Sequence, residues 1–431
     1  MIKRCSSLLT LLVFIIAQYV GQETQEFSAS TFEKNNQYSY NLGNGILFNF
    51  DDSTHLFKIG GMAQPRFLHT RYDDSAYNSE NFFGVKRAYF NIEGSLNNGL
   101  VSFLIQTNFS DTYPLLDAWA GYHPTKSISV YFGQKQSPLN NHSMKMMEYN
   151  LQFASRNNLS QVFTESGREF GLFIESNFLL GKIGVKPSIA LTSGDGKNSF
   201  GVLSNDNDKG GLKYGGRINL YPSGFFSNDN EIMGHDIYKE SKPKLMIGAA
   251  SSLNVGASHS VGEGHYLEPD PGLSAPSETF VFYDSLGLNK FPNYLKNYVD
   301  LLFKYKGFNL LAEYVNTAAY ELDGSSINIA GTDLLEPTEI STYLILGNAY
   351  NIQVGYLFKG DWSIDAKWGQ SFREFDNDNS LLVNYDSMGG GLTKYFSERA
   401  VKAQLMATYY NFVNFPEQNQ LGIECVFQVK F

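Results

Sequence analysis

The last twelve residues of the chain alternate almost without interruption between apolar and polar side chains. One face carries only apolar residues, which are Leu421, Ile423, Cys425, Phe427, Val429 and Phe431. On the opposite face, from Gln420 to Lys430, only Val426 interrupts a series of polar or small residues. A period of two over this length predicts an extended strand with one apolar face and one polar face.

The same alternation recurs along the chain and predicts sixteen strands. It is clearest in segments 100–109, 361–369 and 400–408. The predicted strands are 57–68, 83–94, 100–109, 115–123, 128–135, 169–178, 182–193, 210–220, 243–255, 298–306, 308–320, 346–358, 361–373, 386–397, 400–411 and 420–431. An even number of antiparallel strands puts both chain termini at the same end of the sheet.

The connections between these strands tend to alternate in length. Segments 95–99 and 124–127 are short, whereas segments 136–168 and 256–297 are long. Residues 221–242 break this rule, because a long polar segment stands where the alternation requires a short turn. Either this segment is an unusual excursion or the strand count is in error there.

Amphipathic strands with connections of alternating length indicate an all-β fold, a transmembrane antiparallel β-barrel of sixteen strands. Aromatic residues make up 15% of the chain, and its 27 Tyr and 34 Phe suit the aromatic girdles at the two membrane interfaces. The strand that ends on Phe431 also resembles the closing strand of a bacterial outer-membrane barrel. A soluble β-sandwich is the competing fold, but so many strands would need two domains, and the sequence shows no clear linker between them.

The amino-terminal segment predicts that the chain is exported. Lys3 and Arg4 precede an apolar run, 8–17, that is too short to span a bilayer. This pattern is typical of a secretory signal peptide, and the small residue Ala17 marks the expected cleavage point. We therefore expect residues 1–17 to be a signal peptide, and the alternative is a buried amino-terminal helix.

Beyond the signal peptide, we expect residues 18–56 to form a polar periplasmic lead-in and residues 57–431 to form the transmembrane barrel. No other run in the sequence is long and apolar enough for a membrane-spanning helix. Cleavage leaves Cys425 as the remaining cysteine, so no intrachain disulfide can form. Its place on the apolar face of the last strand predicts a small lipid-facing side chain.

Several other classes of function are disfavoured. The formal net charge of −10 argues against a nucleic-acid partner. Segments 205–208 and 375–379 could hold calcium through their oxygens, but neither has the full calcium-loop pattern, and solvated outer loops are the preferred interpretation. The seven histidines show no metal-ligand spacing, so we expect no metal and no cofactor. His142 and Ser143 are adjacent, but adjacency supplies neither a positioned base nor an oxyanion hole, so we expect no enzyme.

Four short segments resemble those of one known family. They are KRAYFNIEG at 86–94, DAWAGY at 117–122, FGQKQSP at 132–138 and GREFG at 167–171. In their order and spacing they resemble the phosphate-selective porin O and P family, most clearly over about 58–220 and again in the closing strands from Gly389. The resemblance implies a trimeric sixteen-stranded porin of the bacterial outer membrane whose third outer loop, here 136–168, folds inward and narrows the pore.

In that family, basic side chains inside the barrel draw and hold phosphate, and the paired basic position matches Lys86 and Arg87. Alternation predicts that Arg87 faces the lumen together with Tyr89. Lys86 shares the other face with Phe90, and we expect its long side chain to reach towards the rim.

Three further basic residues belong to the predicted pore. Lys135 is predicted to face inward, Arg156 lies in the inward loop, and Arg168 stands at the exit of that loop. Near a narrow, partly desolvated channel such side chains favour anions, and arginine can bind a phosphate through two N–H groups. Alternatively, the cations pair with acidic residues and only order the wall, an interpretation that the acidic net charge favours. Those acidic residues would be Glu93, Asp117, Glu165 and Glu169.

Two functions from different classes follow from these arguments. The first is an outer-membrane porin, a water-filled channel for passive diffusion of small hydrophilic solutes, with inorganic anions and phosphate as candidates. The second is a non-conducting outer-membrane barrel that binds or adheres to a partner through its long outer loops. The resemblance implies a homotrimer, and outer-membrane lipid is the expected neighbour of the apolar face.

Overall fold

A computed structural model of the protein describes seven stretches of the chain, which are 37–51, 53–73, 79–164, 167–194, 211–257, 282–397 and 400–431. All of them belong to the second of the two units into which the chain divides, Asn36–Phe431. The predicted signal peptide, 1–17, lies outside the described residues. Within the described stretches, no helix is long and apolar enough to cross a bilayer.

Sixteen antiparallel strands close into a barrel. They are β1 (His55–Tyr72), β2 (Ser79–Leu96), β3 (Val101–Asn108), β4 (Leu115–Thr125), β5 (Ile128–Gln136), β6 (Arg168–Ser176), β7 (Ile183–Thr192), β8 (Lys213–Tyr221), β9 (Lys244–Asn254), β10 (Asn293–Tyr305), β11 (Phe308–Tyr320), β12 (Gly347–Leu357), β13 (Trp362–Arg373), β14 (Tyr385–Ser397), β15 (Val401–Phe412) and β16 (Gln420–Lys430). Each strand pairs with its neighbours in sequence, and β16 pairs with β1, which closes the sheet. The predicted fold class is confirmed, and every predicted strand overlaps an observed one.

Short elements complete the described part of the chain. Two short helices, α1 (His142–Lys145) and α2 (Asn158–Phe163), lie between β5 and β6. The other short elements are the strands Phe178–Leu180, Phe282–Tyr283 and Asn289–Lys290 and the 3-10 helices Glu148–Asn150, Ser227–Ile232, Glu339–Thr342 and Pro416–Gln418.

The two faces of the barrel wall meet different surroundings. On β13, Trp362 and Ile364 are exposed on the outside, whereas Ser363 and Asp365 are buried in the lumen. Such alternation gives the barrel an apolar exterior and a polar interior, as a barrel in lipid requires. The predicted outward face of β16 follows the same rule, since Cys425 and Phe427 are exposed.

Val426, which interrupts the polar face of β16, also points inward. It is buried against Phe153, Ala154 and Met406. The first two of these residues belong to the long connection between β5 and β6, which therefore lies inside the barrel. An apolar residue on the lumenal face thus marks a place where the wall is covered by an inward segment.

The two ends of the barrel differ in their connections. At the end where β1 begins and β16 ends, here called the terminus end, most connections are short, such as 97–100 and 306–307. The opposite end, here called the loop end, carries the long connections. Residues 222–243 are the exception, because they join β8 to β9 at the terminus end. The sixteen-strand count was therefore right, and this segment is a long excursion from the terminus end.

A hairpin precedes the barrel. Its strands, Gln37–Asn41 and Gly45–Phe50, pair with each other, and the second one pairs with the start of β1. The closing strand β16 pairs with the same edge of β1 from Met62 onward. The expected lead-in, 18–56, therefore contains strands that extend the sheet, whereas its residues 18–36 lie outside the described chain.

Candidate pore and its inward segments

The described residues 137–164 leave the wall after β5 and fold back into the barrel, as predicted for an inward loop. Their helix α2 begins after Asn157, whose side chain accepts a hydrogen bond of 2.8 Å from a backbone amide in the first turn of the helix. The apolar residues Leu159 and Phe163 of α2 pack against Tyr298 on the inner wall. We call this segment the inward loop.

A buried carboxylate holds the inward loop to the wall. Glu313 of β11 accepts hydrogen bonds from the side chains of Asn141 and Asn157, each over 2.8 Å, and from the backbone amide of Ser143 over 2.7 Å. It also accepts one from Asn351 of β12 over 2.8 Å. One carboxylate thus fixes both helices of the loop, because its acceptors serve donors before α1, inside α1 and before α2.

Cations of the wall bind the backbone of the same loop. Lys296 donates to the carbonyl of Phe163 over 2.6 Å, and Lys402 donates to the carbonyl of Leu151 over 3.0 Å. Arg217 donates to the carbonyl of Asn140 over 2.8 Å and forms an ion pair with Asp300. These lumenal cations therefore order the inward loop.

Three of the predicted site residues meet in one cavity. Arg87, Arg156 and Arg168 line a cavity of about 320 Å³ near the loop end, together with Glu148 and Asp111. Arg87 comes from β2, Arg156 from the inward loop, and Arg168 from the first position of β6. The structure therefore brings together side chains that are up to 81 residues apart in the sequence, from position 87 to position 168. We call this space the arginine cavity.

The carboxylate of Glu148 lies among the positive charges of the arginine cavity. It is 2.9 Å from Nη2 of Arg156 and 3.5 Å from Nη1 of Arg168. Burial by itself would raise the pKa of Glu148, but the charges of Arg168 and Arg156 outweigh burial and hold that pKa well below its usual range. Glu148 is therefore ionised at neutral pH and offsets one of the three guanidinium charges.

The partners of the three arginines differ. Arg168 donates to Asp117 over 3.0 Å, the pairing that the wall-ordering interpretation expected for Asp117. Arg87 instead donates to the side-chain oxygen of Gln64 over 2.8 Å and to the carbonyl of Ala154 over 3.1 Å. Within the described residues no carboxylate lies within ion-pair distance of Arg87, so its charge is the least compensated of the three.

The predicted orientation of Lys86 was wrong. The pairing of β1 with β2 shifts register at this point, since Gln64 faces Arg87 while Pro65 faces Val85. Lys86 is thus the extra residue of a β-bulge, and it points into the lumen beside Arg87. There it forms an ion pair with Glu424 of β16. Strict alternation could not reveal this, because a bulge places two neighbouring side chains on one face.

The fifth predicted site residue, Lys135, lies elsewhere in the lumen. Its Nζ is 2.6 Å from Glu175 of β6 and 4.7 Å from the ring centre of Tyr131. It lines a second cavity, of about 310 Å³, that reaches the turn after β6 at the terminus end. We call this space the lysine cavity.

The sequence analysis missed two further cations of the lysine cavity, Lys145 of α1 and Lys186 of β7. Lys186 forms an ion pair with Glu231, which belongs to the terminus-end excursion. Alternation along β7 was a signal for Lys186, because it separates the lumenal residues from the exposed Ile189 and Leu191. Lys145 carried no such signal, since the inward loop has no regular period.

The acidic residues expected as partners have varied roles. Asp117 pairs with Arg168, as noted, whereas Glu93 pairs with Lys58 and Glu169 pairs with Lys213. Glu165 lies outside the described residues. Thus Asp117 is the only described member of that set with a predicted site residue as its ion-pair partner.

The remaining sequence candidates have local explanations. In segment 375–379, Asp376 and Asp378 pair with Arg373, while segment 205–208 lies outside the described chain. No cluster of three or more potential metal ligands occurs among the described residues. His142 donates from Nε2 to the carbonyl of Glu231 over 2.8 Å, whereas the hydroxyl of Ser143 contacts Ser160 over 2.6 Å.

Comparisons with known proteins identify the fold. No known family model matches the chain, and no curated protein sequence matches it. Solved structures do match. The outer membrane channel DcaP of Acinetobacter baumannii shares 12% identity with a TM-score of 0.53, over 90% of this chain and 100% of that one. The anion-selective porin from Comamonas acidovorans shares 10% identity with a TM-score of 0.51, over 88% of this chain and 100% of that one.

OmpF of Salmonella typhi, solved in complex with daunomycin, also matches, with 12% identity and a TM-score of 0.50, over 92% of this chain and 100% of that one. At these identities the likeness concerns the fold. The chain covers the full length of these barrels, and its own wall has the apolar exterior of a membrane barrel. The protein therefore has the closed sixteen-stranded barrel of bacterial outer-membrane porins and belongs in that membrane.

Proposed function

We propose that the protein is a channel for the passive diffusion of small hydrophilic solutes across the outer membrane, with a preference for anions. The arginine cavity is the observation that supports this proposal most directly. Three guanidinium groups line it, and Arg156 and Arg168 pair with the carboxylates of Glu148 and Asp117, whereas no carboxylate of the described residues lies within ion-pair distance of Arg87. In a narrow, partly desolvated passage a cation without an ion-pair partner attracts anions.

Arg87 is the residue on which this preference depends most. Its guanidinium has neutral oxygen acceptors, Gln64 and the carbonyl of Ala154, so an incoming anion need not displace a carboxylate from it. Guanidinium groups bind phosphate oxygens through paired N–H donors. Phosphate is therefore the inorganic anion that we propose first, in line with the resemblance of segment 86–94 to the phosphate-selective porins. The same resemblance supports a homotrimer.

The reversal potential of the refolded protein in a planar bilayer tests the proposal. Under a potassium chloride gradient we expect a potential of the sign that anion preference gives, and we expect added phosphate to reduce the chloride current. Arg87→Gln should lower the anion preference and weaken the phosphate effect. Arg71→Gln is the matched control, because Arg71 lies opposite the outward-facing Leu421 near the loop end of β1. Cation preference without phosphate block would contradict the proposed selectivity.

A non-conducting binding barrel is the second candidate function. The observation that favours it is the filling of the lumen, since the inward loop covers much of the inner wall. In that case the long connections at the loop end would engage a partner, and the barrel would serve as their support. A purified, correctly folded protein that never conducts in the bilayer would support this candidate over the channel.

A further inference from the structure

The excursion at the terminus end, residues 222–243, does not extend away from the barrel but enters it. Asn230, His235 and Asp236 are each 0% exposed, although they belong to a connection between two strands. Buried polar residues in a connection require partners within the fold, because water is not available to them. The partners of this segment lie on the inner wall and on the inward loop.

The wall holds the excursion first through one lysine. Nζ of Lys304, on β10, donates to the carbonyl oxygens of Asn230, Met233 and His235 over 2.6, 2.5 and 2.8 Å. All three donors of the ammonium group are thus used by one stretch of backbone. The segment is therefore fixed in a folded conformation inside the lumen, and its carbonyl groups are satisfied there.

A second anchor joins the excursion to another part of the wall, on β13 and β14. Nε2 of His235 is 2.9 Å from Asp365 of β13, and its Nδ1 is 2.7 Å from the hydroxyl of Tyr395 on β14. Asp365 also accepts a hydrogen bond of 2.9 Å from Gln152, which belongs to the inward loop. One buried carboxylate therefore holds the excursion and the inward loop at the same place.

The two segments also touch directly. The amide of Gly234 donates to the carbonyl of Asn150 over 2.7 Å, and His142 of α1 donates to the carbonyl of Glu231 over 2.8 Å. A Cβ atom at position 234 would lie 2.2 Å from the backbone nitrogen of Gln152. Only glycine permits this approach, so Gly234 allows the backbones of the two segments to come into contact.

From these contacts we infer that residues 222–243 form an inner plug, a second constriction that enters from the terminus end and meets the inward loop inside the lumen, at the level of Asp365 near the start of β13. The plug sets the size limit for solutes that leave the channel at that end. The size limit rests on the proposed function, because it concerns solutes that pass through the channel. The plug itself is a structural feature of the barrel and does not depend on that function.

Beside the plug, open space remains along the side of the wall formed by β5 to β8. This space is the lysine cavity, which the plug borders with Glu231 and Ile232 and the wall borders with Lys135 and Lys186. Its volume of about 310 Å³ lies at the small end of ligand pockets. Small ions and compact metabolites fit such a space, whereas oligosaccharides do not.

Replacement of residues 225–241 by a short glycine-serine linker tests the plug. We expect the single-channel conductance to rise several-fold and larger sugars to enter in a liposome-swelling assay. The control replaces residues 413–418 at the loop end, which are exposed except for the half-buried Phe415, by the same linker. A plug-less barrel that is folded, as judged by heat-modifiable migration, and that keeps the parent's conductance and sugar cut-off would overturn the inference.

A smaller change addresses the case in which the plug-less barrel does not fold. In a Cys425→Ser background, Asn150→Cys reports whether the plug covers the inward loop. A thiol reagent added from the terminus end should leave this cysteine unmodified, and additional Gly234→Ala should make it reactive. Gly360→Ala is the control, because a Cβ atom there meets only a side-chain atom of Trp362 at 3.9 Å. Equal labelling with and without Gly234→Ala would contradict the plug.

These experiments separate the plug from the proposed function. If the parent protein conducts no ions but the plug-less barrel does, passive diffusion through the parent is refuted and the plug is supported. If both folded proteins are silent, the plug does not control the lumen, and the inference fails together with the channel.

Discussion

Lys145 changes its charge within the physiological pH range, because its surroundings lower its pKa. Burial, reinforced by the positive charge of Arg217, lowers the pKa of Lys145 to about 7 from its ordinary value of 10.5. The side chain is therefore neutral in alkaline solution and becomes charged as the pH falls through about 7. Because it lines the lysine cavity, this change adds a positive charge to the passage beside the inner plug.

We therefore expect the anion preference of the channel to increase as the pH falls from about 8 to about 6. Lys145→Met should remove this component, whereas Lys126→Met, in the exposed turn before β5, should keep it. Reversal potentials at a series of pH values measure the effect. A pH profile of the reversal potential that is identical in the parent and in Lys145→Met would contradict this expectation.

The same lowered pKa means that folding stability decreases as the pH falls from 10.5 towards about 7, because the unfolded chain binds the proton more tightly.

At single positions, alternation in the sequence predicts which side chains share a face only where the pairing is regular. It placed Arg87 correctly in the lumen and Cys425 correctly outside. It misplaced Lys86, because the register shift of a bulge depends on the partner strand. Val426 interrupts the pattern for a related reason, since its neighbour Phe153 lies 273 positions earlier in the sequence, from 153 to 426.

Among the elements, the inward loop has several anchors on the wall, and Glu313 is the one that holds the start of both of its helices. Replacing this carboxylate by an amide keeps the shape of the side chain but loses an acceptor oxygen. At least one buried donor of the loop then lacks its partner, which costs about 1–3 kcal/mol. The loop should open more often as a consequence.

For Glu313→Gln we accordingly expect a higher mean conductance with more frequent transitions between conductance levels. Faster amide exchange in α2 should accompany it, since loss of the anchor loosens the backbone that follows Asn157. Glu417→Gln, at an exposed position of the connection between β15 and β16, is the control. Single-channel recording and hydrogen exchange measure the two effects, and parental behaviour in both would rule out Glu313 as the main anchor of the loop.

The strands themselves were accessible from sequence because period-two alternation survives wherever a wall separates lipid from lumen. The long segment 222–243 was visible too, as a violation of the length rule for connections. Its direction was not visible, because the residues that hold it inside, Lys304 and Asp365, lie in strands far along the chain. The position of the arginine cavity could not be predicted for the same reason, since Arg156 reaches the cavity only through the fold of the inward loop.

For the whole molecule, the hairpin at residues 37–50 completes the closure of the barrel. The closing strand reaches β1 only as far as Met62, and the hairpin pairs with the part of the same edge that remains, up to Ile59. Without the hairpin, five residues of β1, 55–59, would present an unpaired edge. Unpaired edges invite pairing with other chains.

Deletion of residues 37–50 should therefore lower the yield of soluble, folded barrel and increase light scattering during refolding. The conductance of the barrels that do fold should change little, because the arginine cavity and the inner plug involve no residue of the hairpin. The control exchanges the exposed Tyr38 and Tyr40 for serine, which removes apolar surface but keeps the pairing. Scattering that rises as much in this control as in the deletion would show that the lost strand pairing is not the cause.

The bulge at Lys86 allows the number of lumenal charges to change by the insertion or deletion of one residue. Residues on either side of it keep the faces that a regular pairing would give them, with Val85 outside and Arg87 inside. Deletion of Lys86 would leave the outward-facing residues in place and remove a single lumenal charge. Insertion of a lysine at this position would add one lumenal charge in the same way. A change of lumenal charge at this position can therefore arise through the insertion or deletion of one residue, without any substitution.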